Sequence, residues 1–149
     1  MDIVANLLRN SGYVYELILH DTSLFSVQEG AAYFHIAEGQ TAPTLLLKTD
    51  DGYKALVIAG DRGKINFKEI AALVNCKRVC LASRKEVEQV TGFAAGCVPM
   101  IGLSVPYILD RRLFRYDFVY GGSGQPTRTL RIEPAALQQL NRITAMLET

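Results

Sequence analysis

Apolar residues recur at helical spacing in five segments of the chain, and most of these segments begin or end at a recognisable cap. The pattern predicts helices over residues 2–10, 27–37, 67–75, 84–91 and 134–147, each bounded to within a few residues. Three of them start at capping-box sequences, in which a side-chain oxygen accepts from the backbone three residues on and a glutamate reaches back. These sequences are Ser26-Val27-Gln28-Glu29, Asn66-Phe67-Lys68-Glu69 and Ser83-Arg84-Lys85-Glu86.

Short apolar runs between the helices predict strands over residues 14–19, 44–48, 53–59, 78–82, 106–110, 117–121 and 128–132. Asp50-Asp51-Gly52 carries the Asp-Gly signature of a hairpin turn between two of them. Some strands alternate with helices while others follow one another in hairpins. We therefore expect an α/β mixed (α+β) fold, one domain over residues 1–149 with a mixed sheet surrounded by helices.

Composition limits the class of function. The chain has 149 residues, 49% hydrophobic and 21% charged, and its 16 basic against 15 acidic residues give a net charge of +1. This balance lacks the basic excess of a strong nonspecific nucleic-acid binder, so any RNA contact must be local, and we expect no DNA partner. No segment has the length of a membrane span, and the N-terminus does not have the pattern of a signal peptide, so we expect no membrane partner.

The three cysteines and two histidines lack the spacing of a metal site. Cys76, Cys80 and Cys97 are an odd number without paired spacing, and His20 and His35 are far apart in sequence. We expect a reduced, cytoplasmic protein without metal or cofactor.

Two loops could carry chemistry. Gly121-Gly122-Ser123-Gly124 could present backbone N–H groups to a phosphate or a carbonyl, although it precedes a strand and a flexible hairpin loop is the commoner use of such a sequence. Cys97 lies in a Gly- and Pro-punctuated loop, residues 96–102, that would suit a nucleophile, but no nearby residue is evidently its base. A buried structural thiol is the alternative.

Two polar groups have both a structural and a functional interpretation, and a third has only a structural one. His20-Asp21 could be a base and its orienting carboxylate, although neighbours on an extended chain point to opposite faces. His35, within a predicted helix, is expected to be a packed or surface histidine. The segment 111–116 interleaves three arginines with Phe114 and Tyr116, which suits either RNA contact or a solvated turn.

The order of several motifs resembles the YbaK-type family of aminoacyl-tRNA editing proteins, which includes the deacylase of mischarged Cys-tRNA(Pro) and the insertion domain of prolyl-tRNA synthetase. The resemblance runs from about residue 12 to 137. It is carried by His20-Asp21 with Ser26-Val27-Gln28-Glu29-Gly30-Ala31-Ala32, Thr44-Leu45-Leu46-Leu47, Ala59-Gly60-Asp61, Gly96-Cys97-Val98-Pro99 with Gly102, Pro106-Tyr107-Ile108-Leu109-Asp110, Gly122-Ser123-Gly124, and Thr129-Leu130-Arg131-Ile132-Glu133-Pro134.

The resemblance implies a YbaK-like fold with a curved sheet and a pocket for the aminoacylated 3' end of a mischarged tRNA, of the Cys- or Ala-tRNA(Pro) class. It implies hydrolysis of the ester by a positioned water and the substrate's own ribose hydroxyl, with an aminoacyl-tRNA synthetase as a further partner. The implied catalytic group is the backbone of Gly96, Cys97 and Val98. The implied substrate-binding residues are His20, Thr22, Pro43, Thr44, Gly102, Gly122, Ser123, Gly124 and Thr129.

The same resemblance exposes several departures in one pocket. A lysine precedes the Thr-Leu pair in the family pattern, and this chain has Pro43 there. Lys48 is an odd number of residues away and is expected to face the other side of its strand. Cys97 replaces a glycine, Met100 replaces a proline, and Thr129 stands where the Cys-tRNA(Pro) deacylase carries an acid.

Two functions therefore remain open at this stage. The first is a hydrolase of mischarged aminoacyl-tRNA that works without the lysine. The second is a catalytically impaired module that binds a tRNA end, an aminoacyl nucleotide or an amino acid.

Overall fold

The computed structural model describes residues 2–148, and three of its helices begin at the side-chain caps that the sequence predicts. The helices are α1 (Ile3–Arg9), α2 (Val27–Phe34), α3 (Phe67–Leu73), α4 (Arg84–Thr91) and α5 (Pro134–Leu140). The Ser26, Asn66 and Ser83 side chains each accept from the backbone N–H three residues on. The full capping box forms at Ser83, whereas Glu29 accepts from the amide of Phe25 instead of Ser26.

The prediction of one long C-terminal helix over 134–147 is wrong. Helix α5 ends at Leu140, and the chain continues as a strand, Ile143–Leu147. The Asn141 side chain donates to the carbonyls of Leu137, at 3.0 Å, and Met100, at 2.9 Å, which satisfies a carbonyl of the last helical turn. Tertiary pairing then decides the conformation of Ile143–Leu147, because this segment adds to the edge of a sheet and buries Leu147.

Helix α2 is also shorter than predicted. It ends at Phe34, and His35 is its C-cap in the left-handed conformation with φ of 56°. His35 is exposed, which agrees with the expectation of a surface histidine.

The strands of the described chain divide between two mixed sheets, which confirms the α+β class. They are β1 (Tyr15–Leu19), β2 (Thr41–Ala42), β3 (Thr44–Thr49), β4 (Gly52–Val57), β5 (Val79–Leu81), β6 (Tyr107–Asp110), β7 (Val119–Gly122), β8 (Arg128–Ile132) and β9 (Ile143–Leu147). A four-stranded sheet has the order β1-β8-β7-β2, and a five-stranded sheet has the order β5-β3-β4-β6-β9. Strand β2 was not predicted, and its two residues pair in parallel with β7.

Pro43 lies where the chain passes from one sheet to the other. Strand β2 ends at Ala42 in the four-stranded sheet, and β3 begins at Thr44 in the five-stranded sheet. Proline has no N–H to donate to a ladder, so it suits a residue that leaves one sheet before joining the next. Its carbonyl accepts from the amide of Ile58 at 3.1 Å, which fixes this crossing against the chain beyond β4.

A buried acid connects two of the sequence motifs in the core. Asp110 is fully buried at the end of β6 and accepts from the amide of Ala59, at 3.0 Å, and the guanidinium of Arg62, at 2.7 Å. The Asp110 carboxylate also accepts a hydrogen bond from the backbone amide of Arg112. The motifs at 59–61 and 106–110 therefore have a structural reason to occur together.

Within residues 2–148, no helix is both long and apolar enough to cross a membrane.

Candidate active site

A cavity of about 180 Å³ lies beside helix α2, at the point where the two sheets meet. We call it the junction cavity. Its wall is formed by residues 24–27, Gly30 and Phe34 from the α2 region, 41–43 from the crossing between the sheets, 96–97, 120–122, 125–126 and 128–129. Segments that are far apart in sequence, and that carry the family resemblance, thus meet around one space.

Two glycines in the wall are required by close packing. A Cβ at Gly96 would lie 2.6 Å from the ring of Phe25, and a Cβ at Gly122 would overlap the carbonyl oxygen of Val98. Any side chain at these positions would push the 96–98 loop away from its neighbours. The glycines therefore set the distance between the walls of the junction cavity.

Hydrogen bonds tie the 96–100 loop to the end of strand β7. The amide of Gly124 donates to the carbonyl of Cys97 at 3.0 Å, and the amide of Met100 donates to the carbonyl of Gly122 at 3.1 Å. The loop that the resemblance assigns to catalysis is thus held on the sheet that also carries Thr129.

The structure places five of the sequence-predicted site residues in the wall of the junction cavity. They are Pro43, Gly96, Cys97, Gly122 and Thr129. Val98 and Thr44 are buried behind this wall. Ser123 and Gly124 line a neighbouring recess beside Asp2 and Phe93, and Gly102 lines a different recess beside Ile3.

His20 and Thr22 lie behind Thr129 and form a chain of contacts with it. The Nε2 atom of His20 is 2.9 Å from the Thr129 hydroxyl, and its Nδ1 atom is 2.6 Å from the Thr22 carbonyl oxygen. His20 is buried, and its ring packs against those of Tyr33 and Phe34. His20 does not line the junction cavity itself, and its hydrogen bond with Thr129 connects it to the wall.

Lys48 does not replace the lysine that the resemblance places at position 43. Its Nζ atom is 2.9 Å from Glu86 Oε2, which also accepts from the Tyr53 hydroxyl at 2.6 Å. The hydrogen bond to Glu86 raises the pKa of Lys48 and keeps its charge on the far side of strand β3. The expectation that Lys48 faces away from the pocket is confirmed.

The other nearby cations are also engaged within the fold. Lys54 is buried with its Nζ atom 2.6 Å from Asp51. Arg128 contributes to the cavity wall, but its guanidinium binds Asp2 at 2.6 Å and the Ser123 carbonyl at 2.8 Å. Among the described residues of the wall there is no lysine, so the cavity lacks the ammonium group of the family pattern.

Cys97 has the properties of a packed thiol. Burial raises the pKa of the Cys97 thiol, and its Sγ atom lies 3.6 Å from the Ala94 carbonyl oxygen, to which the S–H donates. A raised pKa lowers the fraction of nucleophilic thiolate, so the structure favours the structural interpretation of this cysteine.

Met100 does not fill the junction cavity. It is fully buried in the main core, behind Gly121, whose Cβ would lie 2.5 Å from the methionine sulfur. The bulk at position 100 therefore packs under the sheet, and only Cys97 of the two loop departures faces the cavity wall.

Thr44 carries a buried hydroxyl that makes no hydrogen bond within the described chain. Along strand β3 it shares a face with Leu46, which packs against Val98 under the cavity. An unsatisfied buried hydroxyl costs about 1–3 kcal/mol, so this position departs from the usual packing of a core strand.

The basic segment 111–116 is largely engaged with acids. It forms a short 3-10 helix, in which Arg111 pairs with Glu148 and Arg115 pairs with Asp61. Its role in RNA contact stays a prediction.

Several residues of the cavity wall were not anticipated from the sequence. They are Leu24, Phe25, Phe34, Tyr120, Gln125 and Arg128. Phe25 directly precedes the N-cap of α2, and its ring is 61% exposed at the edge of the wall. An aromatic residue directly before a predicted N-cap was the signal that the sequence offered for it.

A family model for the aminoacyl-tRNA editing domain matches residues 21–140 of this chain. The match covers most of the chain and includes every wall segment of the junction cavity. The chain therefore belongs to the aminoacyl-tRNA editing domain family.

Two curated relatives show where such a domain occurs. The chain is 28% identical over 99 residues to a proline–tRNA ligase of Caldicellulosiruptor bescii, with 66% of this chain and 17% of the ligase aligned. It is 30% identical over 110 residues to a proline–tRNA ligase of Solidesulfovibrio magneticus, with 72% and 19% aligned. The chain thus spans less than a fifth of the length of these relatives.

Solved structures with the same fold match nearly the whole chain. A hypothetical protein, APE2540, is 27% identical with a TM-score of 0.89, and 97% of each chain is covered. A protein described as a candidate trans-editing enzyme for prolyl-tRNA synthetase is 23% identical with a TM-score of 0.81, covering 97% of this chain and 96% of that one. The second likeness supports the fold.

Proposed function

We propose that the chain binds the aminoacylated 3' end of a mischarged tRNA in the junction cavity and hydrolyses the ester to the terminal adenosine. The observation that carries this proposal is the convergence of the family motifs at 96–97, 122 and 129 on one cavity, next to position 43. Membership of the editing-domain family supports the same substrate class.

The size of the cavity favours a small amino acid. Its volume of about 180 Å³ is below the roughly 300–1,000 Å³ of pockets that enclose drug-sized ligands. An alanyl or cysteinyl group matches such a space better than a large aromatic one. The adenosine must then lie at the mouth, where the exposed ring of Phe25 offers a stacking surface for the base.

The proposed setting is cytoplasmic translation, where aminoacyl-tRNA is the substrate. Curated relatives that carry a similar segment are proline–tRNA ligases, which makes a prolyl-tRNA synthetase the expected protein partner and tRNA(Pro) the expected nucleic acid. Cys-tRNA(Pro) and Ala-tRNA(Pro) are the mischarged species to test first.

A binding module without catalysis is the second candidate, and two observations favour it. Pro43 brings no charge to the cavity, and the guanidinium of Arg128 is already engaged by Asp2 and Ser123. The loss of a charged contact in a partly desolvated site costs about 2–5 kcal/mol, which can reduce a rate by roughly 30-fold to several thousand-fold.

The test is the release of amino acid from a panel of tRNAs by the unmodified protein. We expect faster hydrolysis of Ala-tRNA(Pro) or Cys-tRNA(Pro) than of correctly charged Pro-tRNA(Pro). No release above the uncatalysed rate, combined with saturable binding of the same tRNAs, would replace the hydrolase by the binding module.

A matched pair of variants on α2 locates the activity. Gly30 lines the cavity, and a Cβ there meets only Thr41, at 3.9 Å, so Gly30→Leu should extend into the empty space. Ala32 is exposed on the same helix, so Ala32→Leu adds similar bulk elsewhere. We expect Gly30→Leu to abolish release and Ala32→Leu to retain it. Equal activity of the two variants would place the reaction outside the junction cavity.

A further inference from the structure

Thr129 and His20 form a hydroxyl–imidazole pair at the wall of the junction cavity. The Thr129 hydroxyl is 2.9 Å from His20 Nε2, and Thr129 is the member of the pair that faces the cavity. A hydroxyl within hydrogen-bond reach of an imidazole, which is itself oriented by a third group, is the arrangement by which proteins activate an oxygen for attack.

The third group fixes where the imidazole proton lies. The Thr22 carbonyl oxygen, 2.6 Å from His20 Nδ1, can only accept a hydrogen bond. Nδ1 therefore carries the proton, and in the neutral ring Nε2 is an acceptor. The hydroxyl of Thr129 then donates to Nε2 and leaves its lone pairs available to a molecule in the cavity.

The surroundings hold both members in place. The backbone amide of His20 donates to the Thr127 carbonyl at 2.9 Å, and the ring centroids of His20 and Tyr33 are 5.5 Å apart. Thr129 lies opposite Gly122 in the β7–β8 ladder, and it alternates along β8 with the buried residues Arg128 and Leu130. Neither side chain needs to move for a proton to pass between them.

We propose that Thr129 and His20 are a proton relay that activates the hydrolytic water, without the missing lysine. This inference rests on the proposed function. In this relay Thr129 is the catalytic residue, because its hydroxyl oxygen takes up the proton of the water, and His20 is a positioning residue that acts through it.

The relay accounts for every proton in the reaction. As the water oxygen bonds to the ester carbonyl carbon, one water proton passes to Thr129 Oγ1, and the original hydroxyl proton of Thr129 passes to His20 Nε2. The carbon–oxygen bond to the ribose then breaks. His20 returns its proton through Thr129 to the departing ribose oxygen, which leaves a free amino acid and a tRNA hydroxyl.

The deciding variants separate the hydroxyl of Thr129 from its shape. Thr129→Val keeps the shape of threonine and removes the hydroxyl, while Thr129→Ser keeps the hydroxyl. We expect Thr129→Val to lower kcat about 10²- to 10⁴-fold with KM within a few-fold, and Thr129→Ser to restore kcat to within about tenfold. A thermal melt of each full-length variant checks that it is folded.

The His20→Gln variant and the double variant separate a relay from mere support. Glutamine can hydrogen-bond the hydroxyl but cannot take its proton, so kcat should fall while KM is retained. The double variant Thr129→Val with His20→Gln should be no slower than either single variant, because both break the same relay. Multiplied defects would contradict the relay.

Three further outcomes would overturn the inference in different ways. If the wild type hydrolyses mischarged tRNA and Thr129→Val has the same kcat, the relay is wrong and the proposed function stands. If the wild type hydrolyses none of the tRNA panel, both fail. Mass-spectrometric detection of an amino acid esterified to Thr129 would also overturn the relay, since Thr129 would then be the nucleophile.

Discussion

The five-stranded sheet and the junction cavity use polar residues in opposite ways. Around the five-stranded sheet, charged side chains are paired at short range, as in Lys48 with Glu86 and Arg62 with Asp110. At the cavity, the polar side chains of the wall are neutral hydroxyl and amide groups, from Ser26, Thr41, Tyr120, Gln125 and Thr129, and the charge of Arg128 is bound by Asp2. The charges of this chain therefore support the scaffold, and a reaction in the cavity must rely on neutral groups.

This contrast explains how the pocket is formed without a lysine at position 43. The wall is positioned by close packing at Gly96 and Gly122, by the loop-to-strand hydrogen bonds, and by the crossing at Pro43. None of these contacts needs a charge at position 43. Substitutions can therefore change catalysis without changing the fold, and the reverse.

The largest effect is expected from the scaffold, at the buried acid of the five-stranded sheet. Asp110→Asn removes the charge partner of Arg62 and should lower the free energy of unfolding by about 3–5 kcal/mol, measured by urea denaturation. Glu148→Gln, in the exposed pair with Arg111, should cost less than about 1 kcal/mol. Similar losses of unfolding free energy in the two variants would show that the buried Asp110–Arg62 pair contributes no more to stability than an exposed pair.

The second-largest effect is expected on catalysis in the junction cavity, where Pro43→Lys would supply the missing charge. If the remaining wall is competent, kcat/KM for a mischarged tRNA should rise by roughly 30-fold or more, the equivalent of about 2 kcal/mol. Pro43→Met is the control, since it has comparable length without charge. An equal rise with methionine would attribute the gain to removal of the proline ring.

Two cavity glycines should respond in opposite directions to alanine. Gly122→Ala overlaps the Val98 carbonyl and should cost about 1–3 kcal/mol of stability, with loss of substrate binding. Gly30→Ala lies inside α2 with space for a methyl group and should gain up to about 1 kcal/mol. Thermal denaturation distinguishes them, and a stable, active Gly122→Ala would refute the packing described for the wall.

Thr44 lies at the start of β3, next to the crossing between the two sheets, and its substitution should have a smaller effect on stability. Thr44→Val removes the unsatisfied hydroxyl and should raise the free energy of unfolding by about 1 kcal/mol. Thr49→Val, on the same strand, removes a hydroxyl that lies within hydrogen-bond distance of the Asp51 carboxylate and the Gly52 carbonyl and accepts from the Asp51 amide, and it should be destabilising. A Thr44→Val variant that is less stable than the wild type would contradict the description of this hydroxyl as buried and unsatisfied.

The smallest effect is an acid dependence at the Lys48–Glu86 pair. Hydrogen bonds from the Ser83 amide, the Tyr53 hydroxyl and Lys48 lower the pKa of Glu86 from its ordinary 4.5 to about 2. Its contribution to stability is thus complete above pH 4.5 and is lost as pH falls toward 2. Glu86→Gln should lose less stability over that window than the wild type, measured by denaturation at each pH. An unchanged acid slope would contradict the lowered pKa.

Most of the fold was predictable because local signals and burial agreed. The caps at Ser26, Asn66 and Ser83 and the hairpin at Asp50-Asp51-Gly52 depend on neighbours in sequence, and all are present in the structure. Strand β9 was not predictable, because its apolar residues fit a helix as well as a strand and only pairing with β6 decides between them. Strand β2 is too short to give a periodic signal.

The candidate site was predictable only where a motif lies in the wall itself. Gly96, Gly122 and Thr129 meet in the junction cavity, whereas Gly102 lies against Ile3 in another recess, although it belongs to the same loop motif. The relation of His20 to Thr129 could not be predicted, because 109 residues separate them and the pairing of β1 with β8 brings them together.

The central claim is that the junction cavity binds the aminoacylated end of tRNA through neutral groups. Its most direct test is an NMR titration of the protein with a nonhydrolysable aminoacyl-adenosine, the alanyl amide of 3'-amino-3'-deoxyadenosine. The account predicts saturable shifts of the amide signals of Gly96, Gly122 and Thr129, and loss of these shifts in Gly30→Leu but not in Ala32→Leu. Saturable shifts confined to residues outside the junction cavity, or no shifts at all, would contradict it.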